Sequence, residues 1–341
     1  MLTTDVIDHR EHLGRRSGAA RLDRALRVLR TGGLVRLDEA DGRTSFVAAA
    51  DLVTPATMAV AVRYSSGFVC VALESARADE LVLPAQERRP STRVTPAFAV
   101  TVDAAEGVST GISATDRSRT VQLLADPGTT PDMLSRPGHI VPVRAAAGGL
   151  AVQHGTAELA VELVRLAGRS PAALLVELEP SVAVPAPSAE HPFPRVAAAD
   201  VLRSFEDRRR ALTRRSTARV ATSAGEVLGI RYGSAAGDCD HRAFVAGESA
   251  NRTDPVAVHV HRESPVDDVV GALLAPDSEI SSRLADLART GRGVLIYLRP
   301  SSGDVESGRD ADDVRQILLD LGLSPQPGRR TPRHRIAEFV R

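Results

Sequence analysis

The 341-residue chain contains no lysine, and all 43 of its basic residues are arginine. That absence excludes Schiff-base chemistry and a lysine general base. A GC-rich coding bias explains it without any functional reason. Tryptophan is also missing and aromatic residues make up only 3%, so the cores must be built from Ala, Val and Leu. The only cysteines, Cys70 and Cys239, exclude a disulfide framework and a cysteine-only zinc site. No apolar run reaches the length of a membrane span, and the polar start MLTTDVIDHREH is no signal peptide. The cytoplasm is the expected compartment. Net charge is missing as well, because 43 acidic residues balance the arginines. A nucleic-acid or membrane-surface binder would carry a basic bias, so neither partner is expected.

What remains is an ordinary globular composition, 43% hydrophobic and 25% charged, at a length that suits two domains. Residues 1–19 are polar and read as a frayed end. Arg21 to Thr31 reads as a helix, with Leu22, Ala25, Leu26 and Leu29 on one face and Gly32-Gly33 as its stop. A strand at Leu34–Leu37, a polar loop from Asp38 to Thr44 and renewed strand character at Phe46–Ala50 follow. Thr54-Pro55 opens the next helix, Phe68–Leu73 is a buried strand, and Glu87–Thr95 is a charged loop. Ala157–Ala167 is an amphipathic helix and Ala172–Leu178 a strand. Five prolines between Pro180 and Pro194 read as a stiff linker. Beyond it come a helix at Ala197–Arg210, strands near Phe244 and at Val256–Val260, a helix at Glu279–Thr290, a buried strand at Gly293–Leu298 and a last helix at Asp312–Leu321. Alternating helices and strands in both halves predict an α/β to α+β fold in two domains. The expected bounds are 20–180, a linker at 181–196, and 197–325.

The stretch Thr101–Thr120, TVDAAEGVSTGISATDRSRT, stands apart. It leaves a strand, breaks into glycines and hydroxyls, and ends on Asp116, Arg117 and Arg119. Small residues, hydroxyls and guanidinium groups suit a phosphate or a polyol. The same residues also suit a plain strand-to-helix turn capped by Ser, Thr or Asp.

GVSTGISATDRSRT, followed by Ser135-Arg-Pro-Gly-His139, resembles 3,4-dihydroxy-2-butanone 4-phosphate synthase over roughly residues 20–180. A fainter resemblance, to GTP cyclohydrolase II, covers roughly 190–325. Together they look like the fused bifunctional riboflavin protein. The resemblance implies conversion of ribulose 5-phosphate to a four-carbon ketone phosphate and formate, assisted by a divalent metal and acid–base groups. It makes His139, Glu177 and Cys70 the catalytic candidates. It places the sugar phosphate at Gly107–Thr120 and Arg136, with Thr110, Ser113, Asp116 and Arg117 as contacts. A homodimer, or a heteromer with a catalytic paralogue, is the expected assembly.

The departures are as specific as the matches. Counted back from Thr54-Pro55, the six positions that read Arg-Glu-Asn-Glu-Gly-Asp in the family are Ala40, Asp41, Gly42, Arg43, Thr44 and Ser45. Asp41 is then the weak candidate for the metal-binding glutamate. Thr156 stands at the second ligand, a histidine in the family, with His154 two residues earlier. The substrate arginine of that stretch falls on Gln153. Mg²⁺ or Mn²⁺ is therefore weakened, since Mg²⁺ demands good geometry. In the second half Ser264, Ala275 and Asp277 replace three zinc thiolates, and Ala311 replaces the catalytic tyrosine, so no zinc is expected. Two functions follow. One is a synthase-like lyase acting on a sugar phosphate, fused to an inactive cyclohydrolase half. The other is a pseudoenzyme that regulates or scaffolds riboflavin enzymes.

Overall fold

The structure, a computed structural model, describes residues 4–86, 97–182, 184, 193–247, 256–263, 279–299, 309–325 and 337–340. It divides into two compact units, Met1–Phe205 and Glu206–Arg341. The two-domain α/β to α+β fold expected from sequence is what the chain adopts.

The first unit is one mixed sheet between two helical layers. Its strands are β1 (Val35–Asp38), β2 (Thr44–Ala49), β3 (Val69–Glu74), β4 (Ala97–Phe98), β5 (Val102–Ala104), β6 (Leu134–Ala145), β7 (Ala172–Glu177) and β8 (Arg195–Ala197). The sheet order is β4-β6-β3-β7-β2-β1-β8, with β5 paired to β6. Strand periodicity sends alternate residues to opposite faces. Phe46, Val69, Val71, Leu73, Leu174 and Val176 join one core, while Val47, Cys70, Ala72, Ala173 and Leu175 join the other. Both faces are covered, which is why these strands read as continuous apolar runs.

Helices α2 (Pro55–Arg63), α3 (Ser75–Glu80) and α4 (Ala114–Ala125) seal the first core through Met58, Ala61, Ala78, Val121 and Leu124. Thr54 caps α2 by accepting a bond from the Thr57 N–H at 3.1 Å. Helices α1 (Thr4–Arg30) and α5 (Thr156–Leu166) seal the second core. The first nineteen residues are thus helical from Thr4 rather than frayed. The few aromatics are concentrated: Phe46, Tyr64 and Phe193 meet with ring centroids 5.0–6.2 Å apart. The helix Ala198–Arg210 sends Val201, Leu202 and Phe205 into the first unit's second core, so the division between units falls inside it. The sequence had placed it wholly in the second half. The charged loop 87–95 and most of the proline-rich segment lie outside the described residues.

The second unit is a seven-stranded sheet, β9 (Leu212–Thr222), β10 (Gly225–Ser234), β11 (Asp240–Ala246), β12 (Val256–Arg262), β13 (Gly293–Leu298), β14 (Ser324–Pro325) and β15 (Ala337–Val340). Its order is β14-β15-β12-β13-β11-β10-β9. The helix Arg309–Asp320 packs Ile317 and Leu318 on one face, and the helix Glu279–Thr290 packs Leu287 on the other.

Candidate active site

His139 sits in β6 just before Ile140, where the register with β5 shifts. Asp103 accepts both the His139 backbone N–H at 2.9 Å and the ring Nδ1 at 2.7 Å. A carboxylate on Nδ1 fixes the proton there and leaves Nε2 as the acceptor. That is the base-and-orienter geometry general-base chemistry requires. Two glycines permit it. A Cβ on Gly138 would lie 2.0 Å from the Val102 carbonyl carbon. One on Gly111, at φ 83°, would lie 2.2 Å from Asp103 Oδ2 and 2.8 Å from His139 Nδ1. Asp103 is the site residue the sequence reading passed over, as merely the end of a strand. An acid inside the apolar run Val102-Asp103-Ala104 was the available signal.

The glycine- and hydroxyl-rich loop turns much of its polarity inward. Asp116 is buried, and its carboxylate accepts the Ser109 hydroxyl at 2.8 Å and the Gly111 N–H at 3.2 Å. The Ser109 hydroxyl is the main reason its pKa lies below the usual carboxylate range. Ser113 caps α4 by accepting the Asp116 N–H at 3.0 Å. Thr120 ties α4 to β5, donating to Asp116 O at 3.1 Å and accepting the Ala104 N–H at 2.9 Å. Arg117 donates to Gly67 O at 3.1 Å. Arg136 donates to the carbonyls of Leu81, Pro131 and Leu134. These four expected substrate contacts therefore have structural partners of their own. Ser109, Thr110 and Ser113 stay at the loop surface.

A cleft of about 230 Å³ opens over the α5 side of the sheet. Its lining includes Arg43, Cys70, Gln153, His154, Thr156 and Glu177, walled by Phe68 and Phe98, whose rings meet edge-on at 5.9 Å. Strand register explains who gathers here. Cys70 pairs with both Leu175 and Val141, and Ser45 pairs with Glu177. The pairing of β3 with β7 ends at Cys70 and Leu175, and its pairing with β6 begins at Val69 and Ile140; Glu177 lies two residues past the first and His139 one residue before the second. His139 and the 107–120 loop thus stand beside this cleft, outside its lining. Burial, and then the nearby charge of Glu177, push the Cys70 thiol up to about 12. Cys70 is thus a buried cleft-floor thiol that ionises less readily than a free one.

The expected metal position lies on the turn from Glu39 to Arg43. Asp41, the expected weak ligand, is exposed and pairs with Arg43, whose Nε donates at 2.7 Å and whose backbone N–H donates at 3.1 Å. These bonds hold its carboxyl below the usual range. Glu39 turns inward instead. It accepts the Thr156 hydroxyl at 2.8 and 2.9 Å and receives Arg43 Nη2 at 3.3 Å. The turn responsible runs from Glu39 to Arg43, with Gly42 at φ 88°. Glu39 and Thr156, at the second ligand position, are thus bonded to each other, and a guanidinium already occupies the neighbourhood. A divalent cation a few ångströms from a guanidinium is repelled by several kcal/mol even at an effective dielectric of about 20. These residues do not fit Mg²⁺ or Mn²⁺. Among the described residues no group of three or more His, Cys, Asp or Glu side chains is placed to hold a metal.

In the second unit Ser264, Ala275 and Asp277 lie outside the described residues, and Ala311 lies on the helix Arg309–Asp320. The buried polar feature here is His241. It accepts the Arg299 N–H on Nδ1 at 3.0 Å and contacts Asp313 through Nε2 at 3.0 Å. Among the described residues no helix is long and apolar enough to cross a membrane.

Two family models match the chain: 3,4-dihydroxy-2-butanone 4-phosphate synthase over residues 23–190 and GTP cyclohydrolase II over residues 213–315. The chain therefore belongs to the family of fused riboflavin-biosynthesis proteins that join these two domains. It is 37% identical over 313 residues to the riboflavin biosynthesis protein RibBA of Salinispora arenicola, covering 85% of this chain and 74% of that one. The crystal structure of RibBX, a two-domain 3,4-dihydroxy-2-butanone 4-phosphate synthase from A. baumannii, matches with a TM-score of 0.52 at 24% identity, over 91% of this chain and 94% of that one. A 3,4-dihydroxy-2-butanone 4-phosphate synthase in complex with two magnesium ions matches with a TM-score of 0.48 at 30% identity, over 54% of this chain and 95% of that one.

Proposed function

We propose that the first unit is a lyase of the 3,4-dihydroxy-2-butanone 4-phosphate synthase type, acting on ribulose 5-phosphate or a related sugar phosphate. The reaction enolises the sugar and cleaves a carbon–carbon bond to release formate. The observation that carries this reading is the Asp103–His139 pair, in the same unit as the cleft that Glu177 lines. His139 Nε2 is the proton acceptor, Glu177 the second acid–base group, and the surface of the Ser109–Ser113 loop the seat of the phosphate. Reaction of the purified chain with ribulose 5-phosphate should release formate, and His139→Asn should lower the rate about a hundredfold or more. Absence of both formate and solvent-isotope exchange into the sugar would refute turnover.

The second unit, in this reading, does not hydrolyse GTP. The whole chain holds two cysteines, Cys70 and Cys239, one in each unit, which is too few for a three-thiolate zinc site in either. A second reading, a non-catalytic scaffold for riboflavin-pathway enzymes, is favoured by the Glu39–Thr156 closure and the protonated Cys70. It requires that a riboflavin-pathway enzyme co-purify with the chain.

A further inference from the structure

We propose that Arg43 is the built-in cation of the cleft, and that its guanidinium takes the carbonyl and hydroxyl oxygens of the sugar end of the ligand without a metal ion. The inference rests on the sugar-phosphate reading above.

Three observations converge on it. Arg43 lines the same cleft as Glu177, Cys70 and Thr156. It is held from two sides, with Nε on Asp41 and Nη2 on Glu39, and Glu39 is itself fixed by Thr156. Hydrogen bonding to Asp41, with the charges of Glu39 and Glu177 behind it, keeps it protonated. A guanidinium carries five N–H donors in a fixed plane. The bonds to Asp41 and Glu39 use Nε and one Nη2 hydrogen, and among the described residues Nη1 makes no bond to the chain. A positioned cation with unspent, coplanar donors in a cleft that a carboxylate also lines is a polyol site. The donors take sugar oxygens, and Glu177 accepts a hydroxyl hydrogen. The acids around Arg43 make this end of the cleft poor for phosphate, so the ligand's anion lies at the Ser109–Ser113 loop and its carbonyl end at Arg43.

The test has two arms. In the first, ribulose 5-phosphate binding to the full chain is measured calorimetrically in excess EDTA and in millimolar Mg²⁺. The expected affinities agree within about twofold, and Arg43→Gln weakens binding by at least about tenfold, the worth of a charge-assisted hydrogen bond. Affinity that collapses in EDTA and returns with Mg²⁺ overturns the proposal. So does an Arg43→Gln chain that binds as tightly as the parent. In the second arm Mn²⁺ is titrated and followed by loss of its free-ion paramagnetic resonance signal. Removing the guanidinium leaves Glu39 and Asp41 without their counter-charge, so Arg43→Gln should bind Mn²⁺ at least about tenfold more tightly than the parent. Arg43→Lys, which keeps the charge, should not. Equal Mn²⁺ binding by parent and Arg43→Gln overturns the proposal. If the parent binds no ribulose 5-phosphate in either buffer, the sugar-phosphate reading fails, and the Mn²⁺ arm alone decides whether Arg43 fills a cation's place. An unchanged circular-dichroism melt certifies that each variant is folded.

Discussion

Cys70 shows how one residue's surroundings decide its chemistry. The thiol lies on the cleft floor beside Leu175 and Val141, and burial together with Glu177 lifts it to about 12. Alkylation by iodoacetamide should therefore stay slow from pH 7 to about pH 10, above the range where an ordinary thiol near 8.5 has ionised. Glu177→Gln should shift that profile to lower pH, because it removes a like charge. A Cys70 that reacts fast at pH 7 would contradict the buried environment. Asp103 acts through its neighbour, so it is a positioning residue. Asp103→Asn should leave sugar-phosphate affinity within a few-fold while lowering turnover by roughly a hundredfold or more, since Nδ1 loses its acceptor. A loss confined to affinity would place Asp103 in binding instead.

At the scale of the element, the loop and helix from Ser109 to Thr120 behave as one hydrogen-bonded piece. Ser113 caps α4, so Ser113→Ala should cost about 1 kcal/mol in an equilibrium melt. Asp116 ionises below its ordinary value in the folded chain. Its contribution is complete above about pH 4 and is lost as the pH falls through the lowered value. Asp116→Asn should therefore flatten the acid limb of stability against pH and leave the limb above pH 7 unchanged, as read by denaturant titration across pH 2–8.

Much of this scale was legible in the residues. Thr54-Pro55 announced a capped helix, and the runs Phe68–Leu73 and Ala172–Leu178 announced buried strands, because their chemistry is local. The hairpin β9–β10 was not legible. Leu212–Thr222 is arginine- and threonine-rich and almost wholly exposed, so it carries no apolar alternation to read. The site divided in the same way. His139 and Glu177 lie in recognisable strings, whereas the bonds from Glu39 to Thr156 and from Asp103 to His139 span 117 and 36 residues and depend on register alone. The glycine- and hydroxyl-rich loop supported two readings, and the structure satisfies the plain one, a capped turn, while leaving Ser109, Thr110 and Ser113 at its surface.

At the scale of the whole molecule, two family domains share a chain whose second unit holds a single cysteine, Cys239. Elemental analysis of the purified chain should find zinc well below one equivalent, and incubation with GTP should leave the nucleotide intact. Stoichiometric zinc with release of pyrophosphate would return the second unit to catalysis. His241 gives that unit a conformational anchor all the same. It bridges β11, the Arg299 backbone and the helix Arg309–Asp320, all within one buried contact. Asp313→Ala would leave His241 Nε2 without its carboxylate partner and should destabilise the unit by roughly 2 kcal/mol.

The aromatic cluster of the first unit has an optical consequence. With no indole in the chain, near-ultraviolet emission comes from three phenols, Tyr64, Tyr232 and Tyr297. Tyr64 alone belongs to the first unit, wedged between Phe46 and Phe193, and the other two belong to the second. A Tyr64→Phe chain keeps the ring and silences that half. Its emission would then follow residues 206–341 by themselves, and the difference from the parent would isolate the other half without any attached dye.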